Sequence, residues 1–284
     1  MRRIAAGVLL LAAMAAGAPS LARADDATRL PLAGIPGYSY VTVSGRPGVT
    51  QGFLLMEPKH SRASVILFVG GNGLLGLSDT GFAPNFQGNF LMRTRDLFAA
   101  QGLRVAVVDT PSDQPSLLGF RTTPEHAQDV AAVIRYLRRH RRHEPVWLVG
   151  TSRGTISATG VAAHLDGQRD APDGIALTST LLVTTANQSV FDVDLSRITL
   201  PVLIAHHEQD ACFVTLYADV PLLVGALSNA DVAPVRAYTG GGPPSGDPCG
   251  AFHFHGFVGI EATVVSDLGH DILRRAHRRF PHDR

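Results

Sequence analysis

The stretch Leu148-Val149-Gly150-Thr151-Ser152-Arg153-Gly154 joins an apolar run to a helical pattern. Residues 145–149 have the continuous apolar character of a strand buried on both faces, and residues 155–165 follow as a helix. Glycines two positions before and after Ser152 allow a sharp strand-to-helix turn that leaves the serine hydroxyl exposed. This spacing predicts a nucleophilic serine, and an ordinary turn rich in glycine and serine is the alternative.

Apolar runs of strand length alternate with helical patterns along most of the chain. The predicted strands cover residues 64–69, 104–108, 145–149, 174–178, 201–205 and, more weakly, 235–238. The predicted helices cover residues 90–101, 123–140, 153–165, 216–227 and 257–278. Two earlier segments, 38–43 and 51–56, flank a turn-rich sequence and predict an N-terminal β-hairpin. The order predicts an α/β fold with a mostly parallel central sheet and helices on both faces.

A serine hydroxyl needs a general base to become a nucleophile, and the base needs a carboxylate that orients it. Asp210 lies on the loop beyond the carboxyl end of the predicted strand 201–205. Further along, His253 and His255 precede the last helix, and only one of them can serve as the base. We favour His255 because it is nearer to that helix and because Gly256 permits a tight turn there.

The chain order of serine, aspartate and histidine resembles that of the α/β-hydrolase family. The resemblance covers roughly residues 38–278 and rests on three motifs, at residues 150–154, 201–210 and 255–257. It implies an enzyme that hydrolyses carboxylic esters through an acyl-enzyme and needs no cofactor and no metal. It also implies the roles of three residues: Ser152 as the nucleophile, Asp210 as the acid and His255 as the general base.

Acyl transfer creates an oxyanion that two backbone N–H groups can stabilise. We expect one donor to be the N–H of Arg153, directly after the nucleophile. The second is expected from the sequence Val69-Gly70-Gly71-Asn72-Gly73, where the family often has His-Gly, so either Asn72 or Gly71 can supply it. This glycine cluster lacks the spacings of nucleotide-binding loops, which disfavours a phosphate site.

Other functions use the same residues differently. A serine peptidase would share the triad, but groups that grip a peptide terminus are not evident in the sequence. A catalytically silent protein of the same fold is a second alternative. A metal-binding periplasmic protein is a third, since zinc-ligand residue types cluster late in the chain, although without the usual zinc-site spacings: His206, His207, Asp210, Cys212, Cys249, His253 and His255.

The chain begins with the features of a secretory signal peptide: two arginines, an apolar stretch at residues 4–18 and the cleavage-site pattern Ala22-Arg23-Ala24. We expect residues 1–24 to be removed, leaving residues 25–284 as one periplasmic or secreted domain. Residues 1–24 hold three arginines and no acid, so 22 basic and 24 acidic residues remain, a net charge of −2. This charge argues against nucleic acid as a partner, and the apolar stretch is too short for stable membrane insertion.

Cys212 and Cys249 are the two cysteines of the chain. Export would place them in an oxidising compartment, so we expect them to form a disulfide. Such a bond would connect the loop of Asp210 to the loop of His255 and limit relative motion of the two side chains. The alternative is a pair of buried free thiols.

The substrate is expected to be a small-molecule ester, and the sequence predicts no particular oligomeric state. The longest stretch without a clear element, residues 181–200, leaves no room for a large cap domain over the site. An open site suits short or medium acyl groups. Six apolar residues are candidates for an acyl pocket: Leu74, Leu75, Leu77, Phe82, Leu181 and Leu182.

Overall fold

The computed structural model describes residues 27–32, 37–80, 83–141, 144–184 and 188–279. The predicted leader, residues 1–24, lies outside this range, as does the pocket candidate Phe82.

The described residues form one sheet of ten strands. Its spatial order is β1-β2-β3-β5-β4-β6-β7-β8-β10, and β9 pairs with β8 beside this path. The strands are β1 (Thr28–Pro31), β2 (Tyr38–Ser44), β3 (Thr50–Met56), β4 (Ala63–Phe68), β5 (Leu103–Pro111), β6 (Val146–Thr151), β7 (Gly174–Thr178), β8 (Pro201–His207), β9 (Asp231–Val232) and β10 (Arg236–Tyr238).

The sheet is antiparallel at its N-terminal edge and parallel elsewhere. Strands β2 and β3 form the predicted hairpin, with Tyr38 opposite Met56, and β3 also pairs antiparallel with β5. From β5 through β4, β6, β7 and β8 to β10, every pairing is parallel. The carboxyl ends of these parallel strands therefore share one rim, where ligands bind in open α/β sheets.

Helices cover both faces of the sheet, as predicted. On one face α2 packs beside α3, and on the other α1 packs beside α5. The described helices are α1 (Phe90–Ala100), α2 (Pro124–His140), α3 (Arg153–Leu165), α4 (Val220–Ala226) and α5 (Glu261–Arg279). The start of α2 agrees with the start predicted from the sequence. Thr123 Oγ1 accepts the backbone N–H of His126, and Pro124 occupies the first turn.

Burial on both faces explains why the central strands are continuously apolar. In β4, Ile66 and Phe68 belong to the core beneath α2 and α3, whereas Val65 and Leu67 belong to the core beneath α1 and α5. All four side chains are at most 1% exposed. Each contributes on the order of 2 kcal/mol by burial, so both faces of this strand stabilise the sheet.

Some elements differ from the sequence prediction at their ends. The predicted helix 216–227 is a short 3-10 turn, Tyr217–Asp219, followed by α4. The last helix begins at Glu261 rather than at 257, because Phe257 adopts a left-handed φ of 56° that a helix cannot contain. Strands β1 and β9 were not predicted, since both are short and their residues are mostly exposed.

The segment between β7 and β8 holds no cap domain within its described residues. It contains two 3-10 turns, Val190–Asp192 and Leu195–Arg197, that lie against the core of α3. None of the helices among the described residues has the length and apolar character that a membrane crossing requires.

Candidate active site

Ser152 occupies a strained turn between β6 and α3. Its backbone has φ 76° and ψ −120°, a region that residues with a side chain rarely adopt, and α3 begins at the next residue. A Cβ at Gly154 would collide with the carbonyl oxygen of Phe68 in β4, and one at Gly150 would collide with the carbonyl of Gly154. The two glycines are therefore required by close packing of main chain on main chain, as the spacing predicts.

The three predicted side chains lie in one hydrogen-bonded row. Ser152 Oγ is 3.1 Å from His255 Nε2, and His255 Nδ1 is 3.0 Å from Asp210 Oδ2. Asp210 and His255 are buried, at 3% and 7% exposure, whereas Ser152 is half-buried. The row thus runs from a buried carboxylate to a hydroxyl that solvent reaches. Its three side chains lie on the loops that follow β8, β6 and β10, at the carboxyl rim of the sheet.

Further hydrogen bonds hold the carboxylate of Asp210. The backbone N–H of Cys212 donates to Oδ1 at 3.0 Å, and the hydroxyl of Thr215 donates to Oδ2 at 2.9 Å. The same Thr215 oxygen is 3.1 Å from Nδ1 of His255, and its side chain is fully buried. Thr215 therefore fixes the position where carboxylate and imidazole meet, and no motif in the sequence pointed to it.

The loop that carries His255 is held from two sides. On one side Ser179 Oγ donates to the carbonyl oxygen of His255 at 2.7 Å. On the other side Arg93, in α1, donates to the carbonyl oxygen of Gly256 at 2.7 Å and pairs with Glu261 at 2.9 Å. The imidazole is thus positioned through its own backbone, and sequence reasoning missed both supporting side chains.

The two histidines at the end of β8 have structural partners. His207 Nε2 is 2.9 Å from the carbonyl oxygen of Gly240, and its Nδ1 accepts the N–H of Gln209. His206 Nε2 accepts the N–H of Thr180 at 2.8 Å. Burial is the largest cause that lowers the pKa of His206, to about 4, so its ring is neutral at neutral pH.

Cys212 and Cys249 form the predicted disulfide. Cys212 is 1% exposed and lies two residues after Asp210, whereas Cys249 lines the cavity in front of Ser152. The bond therefore connects the loop of the carboxylate directly to the loop that leads to His255.

A cavity of about 340 Å³ opens in front of the serine. Its described lining residues are Gly70, Gly71, Phe86, Gln87, Gly88, Asn89, Phe90, Thr151, Ser152, Cys249, Ala251, His255 and Gly256. Of the residues predicted for the pocket, the five described leucines do not belong to this lining, and Phe82 lies outside the described residues. Leu75, Leu181 and Leu182 are core residues, and the aromatic rings at the cavity belong to Phe86 and Phe90.

The expected oxyanion donors lie on two sides of the serine. Arg153 is the first residue of α3, and Gly71 lies on the cavity wall. Asn72 is not among the described residues of that wall. Its side-chain oxygen accepts the N–H of Leu74 at 3.2 Å, and its carbonyl accepts the N–H of Leu117 at 2.7 Å.

The residues considered for zinc do not gather into a metal site. Among the described residues, no group of three or more histidine, cysteine, aspartate or glutamate side chains has the arrangement that a metal ion needs. The two sulfur atoms are joined to each other, and the nitrogen atoms of His207 are both engaged with backbone groups.

Solved structures with the same architecture include serine hydrolases and esterases. A lid-free α/β serine hydrolase from Xanthomonas campestris is 15% identical, with a TM-score of 0.53, and the match covers 89% of this chain and all of that one. An esterase from Pyrococcus furiosus is 12% identical, with a TM-score of 0.59 and coverage of 84% and 91%. A dienelactone hydrolase from Anabaena variabilis is 14% identical, with a TM-score of 0.55 and coverage of 82% and 95%.

No family profile and no curated protein matches the sequence. At sequence identities this low, the structural similarity establishes the fold alone. The chain therefore has the α/β-hydrolase fold, its described residues form no large cap domain, and the fold class predicted from the sequence is confirmed.

The low pKa of His206 predicts a loss of stability in acid. In the unfolded chain this histidine takes up a proton near its ordinary pKa of 6.5, but in the folded chain only near 4. Between these values the unfolded state binds more protons. The free energy of unfolding therefore falls as the pH is lowered, by at most about 1.4 kcal/mol per pH unit for this one group.

We expect His206→Gln to weaken this pH dependence, since glutamine can still accept from Thr180 but does not titrate. Urea unfolding between pH 7 and pH 4.5 measures the difference. The exposed His60→Gln is the matched control and should keep the wild-type slope. Equal slopes for wild type and His206→Gln would contradict the prediction.

The position of the disulfide predicts that reduction disturbs the row of Ser152, His255 and Asp210 before it affects the fold. A displacement of about 1 Å in a catalytic group can lower a rate by about a hundredfold. In a titration with reductant, we expect the hydrolase activity proposed below to fall while the near-UV circular dichroism is still that of the folded protein. If both signals decline together, the bond serves stability alone.

Proposed function

We propose that this protein is an exported serine hydrolase that cleaves carboxylic esters of small molecules. The observation that supports the proposal most strongly is the row of Ser152 Oγ, His255 Nε2 and Nδ1, and Asp210 Oδ2, with both separations near 3 Å, on a strained strand-to-helix turn. The fold adds support, because its solved neighbours include esterases.

Acylation uses the three side chains in sequence. His255 Nε2 accepts the proton of the Ser152 hydroxyl while Oγ bonds to the ester carbonyl carbon and the carbonyl electrons move to oxygen. Asp210 accepts the hydrogen bond of Nδ1–H and stabilises the imidazolium. When the tetrahedral intermediate collapses, the bond from carbon to the alcohol oxygen breaks, and Nε2 returns the proton to the departing alcohol.

Deacylation repeats these steps with water as the nucleophile. His255 Nε2 takes a proton from water, the hydroxyl oxygen bonds to the acyl carbon, and the bond to Ser152 Oγ breaks with return of the proton to serine. The carboxylic acid then leaves through the open cavity. No step needs a cofactor or a metal.

Two backbone N–H groups are proposed to stabilise the oxyanion in both half-reactions. The N–H of Arg153 lies at the N-terminus of α3, where the helix dipole also favours negative charge. The second donor is Gly71 or Asn72. The place of Gly71 on the cavity wall favours Gly71, whose backbone has φ 57°.

The proposed substrates carry small acyl groups. The cavity volume of about 340 Å³ is at the small end of ligand sites, and much of its wall consists of glycine and alanine residues beside the rings of Phe86 and Phe90. A short or medium acyl chain fits such a space.

We also propose that residues 1–24 form a cleaved signal peptide and that residues 25–284 act as one domain in the periplasm or outside the cell. The arginines and apolar stretch of the leader support this proposal. The disulfide between Cys212 and Cys249 supports it independently, because such bonds persist in oxidising compartments.

A fluorophosphonate probe tests the nucleophile. We expect covalent labelling of the wild type, because an activated serine displaces fluoride from phosphorus, and complete loss of labelling in Ser152→Ala. The exposed Ser245→Ala is the control and should label like the wild type. A wild type that does not label but retains zinc through gel filtration would support the metal-binding alternative instead.

A series of p-nitrophenyl esters tests the substrate class. We expect kcat/KM to be highest for acyl chains of about two to six carbons and to fall at least about tenfold for much longer chains, since the cavity is small. Matched p-nitroanilides are the control for the leaving group. Cleavage of the anilides as fast as the esters would favour a peptidase, and a preference for long chains would contradict the proposed size limit.

A further inference from the structure

Arg121 is a buried arginine in the turn before α2, behind the loop expected to carry the second oxyanion donor. Its side chain is 2% exposed. Nη2 donates to the carbonyl oxygens of Val69 and Gly71, at 3.2 and 3.3 Å, and Nη1 donates to Ser157 Oγ at 2.6 Å. One guanidinium therefore connects the glycine loop after β4 to the helix that begins at the nucleophile.

The charge of Arg121 has no carboxylate partner among the described residues. Its hydrogen-bond acceptors are two backbone carbonyls and a hydroxyl, and none of the ion pairs of the described chain includes it. Burial and the neighbouring charge of Arg153 lower the pKa of Arg121 to about 9, so the group stays positive at neutral pH. Burying a cation without an anion is costly, and a residue that serves packing alone would not need the charge.

The glycine loop is built around this guanidinium. A Cβ at Gly73 would lie 2.7 Å from Cδ1 of Leu117 and 2.8 Å from Nη2 of Arg121, and Gly73 also has a left-handed φ of 82°. Further on, the N–H of Leu75 donates to the carboxylate of Asp109 at the end of β5. The loop is thus held by the guanidinium of Arg121 at one end and by the carboxyl group of Asp109 at the other.

The contacts of Arg121 lie on the peptide groups next to both candidate donors. The carbonyls of Val69 and Gly71 flank the peptide that carries the N–H of Gly71, and the carbonyl of Gly71 shares its peptide group with the N–H of Asn72. Holding these carbonyls sets the orientation of the N–H groups. A cation on the carbonyl of Gly71 also polarises the peptide that carries the N–H of Asn72, whereas the N–H of Gly71 is oriented through the two peptides that flank it.

We propose that Arg121 is a positioning residue for ester hydrolysis, because it orients and polarises the loop that carries the second oxyanion donor. The guanidinium has no carboxylate partner among the described residues, and the oxyanion that forms on the substrate at Ser152 supplies the compensating negative charge. This inference rests on the proposed serine hydrolase function. Because the oxyanion exists only in the transition state and the tetrahedral intermediate, removing the guanidinium should lower kcat and leave KM nearly unchanged.

The test compares Arg121→Met, Arg121→Lys and a matched control. We expect kcat of Arg121→Met to fall about 10- to 100-fold, somewhat less than for removal of an oxyanion donor itself, with KM within about threefold. Arg121→Lys keeps the charge but reaches fewer acceptors, and should retain a kcat between those of wild type and Arg121→Met. The control is Arg104→Met, a second buried arginine, which pairs with Glu57 at the opposite end of the sheet and should lose stability but not kcat.

A second readout separates this role from a structural one. A trifluoromethyl ketone forms a tetrahedral adduct with serine and places an oxyanion in the same site, so its inhibition constant should rise in parallel with the loss of kcat. Near-UV circular dichroism and the melting temperature establish that each variant is folded. A structural role alone would lower the melting temperature without changing the inhibition constant.

Three results would overturn the proposal for Arg121. The first is a folded Arg121→Met with kcat within about threefold of wild type, and the second is an unchanged affinity of that variant for the ketone. The third applies if Arg121→Met does not fold, and is a folded Arg121→Lys with full wild-type kcat and ketone affinity. Failure of the underlying hydrolase function is distinguishable, because wild type would then neither hydrolyse esters nor react with the fluorophosphonate probe.

Discussion

The contact of main chain with main chain at Gly154 is the constraint on which the site depends. Because Gly154 has no Cβ, α3 approaches the carbonyl of Phe68 in β4 closely, and the chain between β6 and α3 must turn within one residue. That residue is Ser152, whose backbone is strained as a result and whose N–H donates to the carbonyl of Thr178 in the neighbouring strand. The strain is maintained by a sheet and helix that are packed on both sides.

The other two members of the row depend on the order of the strands. Ser152 and His255 are 103 positions apart in the chain, yet β6, β7, β8 and β10 are successive neighbours in the sheet, so the loops after them meet at one rim. The aspartate and histidine loops are also joined by a covalent bond and share the hydroxyl of Thr215. The geometry of the site is therefore determined by connections between loops as much as by the positions of the strands.

The sequence predicted the features that have a local signature. Continuous apolar runs identified the parallel strands because both faces of the sheet are covered, and glycine spacing identified the turn at Ser152 because close packing there excludes a Cβ. Thr215 and Arg121 have no such signature. Thr215 meets His255, and Arg121 meets the carbonyls of Val69 and Gly71, across separations of 40 and about 50 residues, and only the folded topology brings them together. The leucines proposed for the pocket failed for a related reason, since hydrophobicity alone does not distinguish a core residue from a cavity wall.

Strand β4 contributes to the site without contributing a side chain. Its apolar side chains face the two cores. The carbonyl of Phe68 packs closely against Gly154, and the carbonyl of the following Val69 accepts a hydrogen bond from Arg121. Carbonyl oxygens are the same in every amino acid, so valine, isoleucine and leucine could replace one another along this strand while both contacts persisted. The two contacts therefore depend on the path of the backbone through β4 and not on which apolar side chains the strand carries.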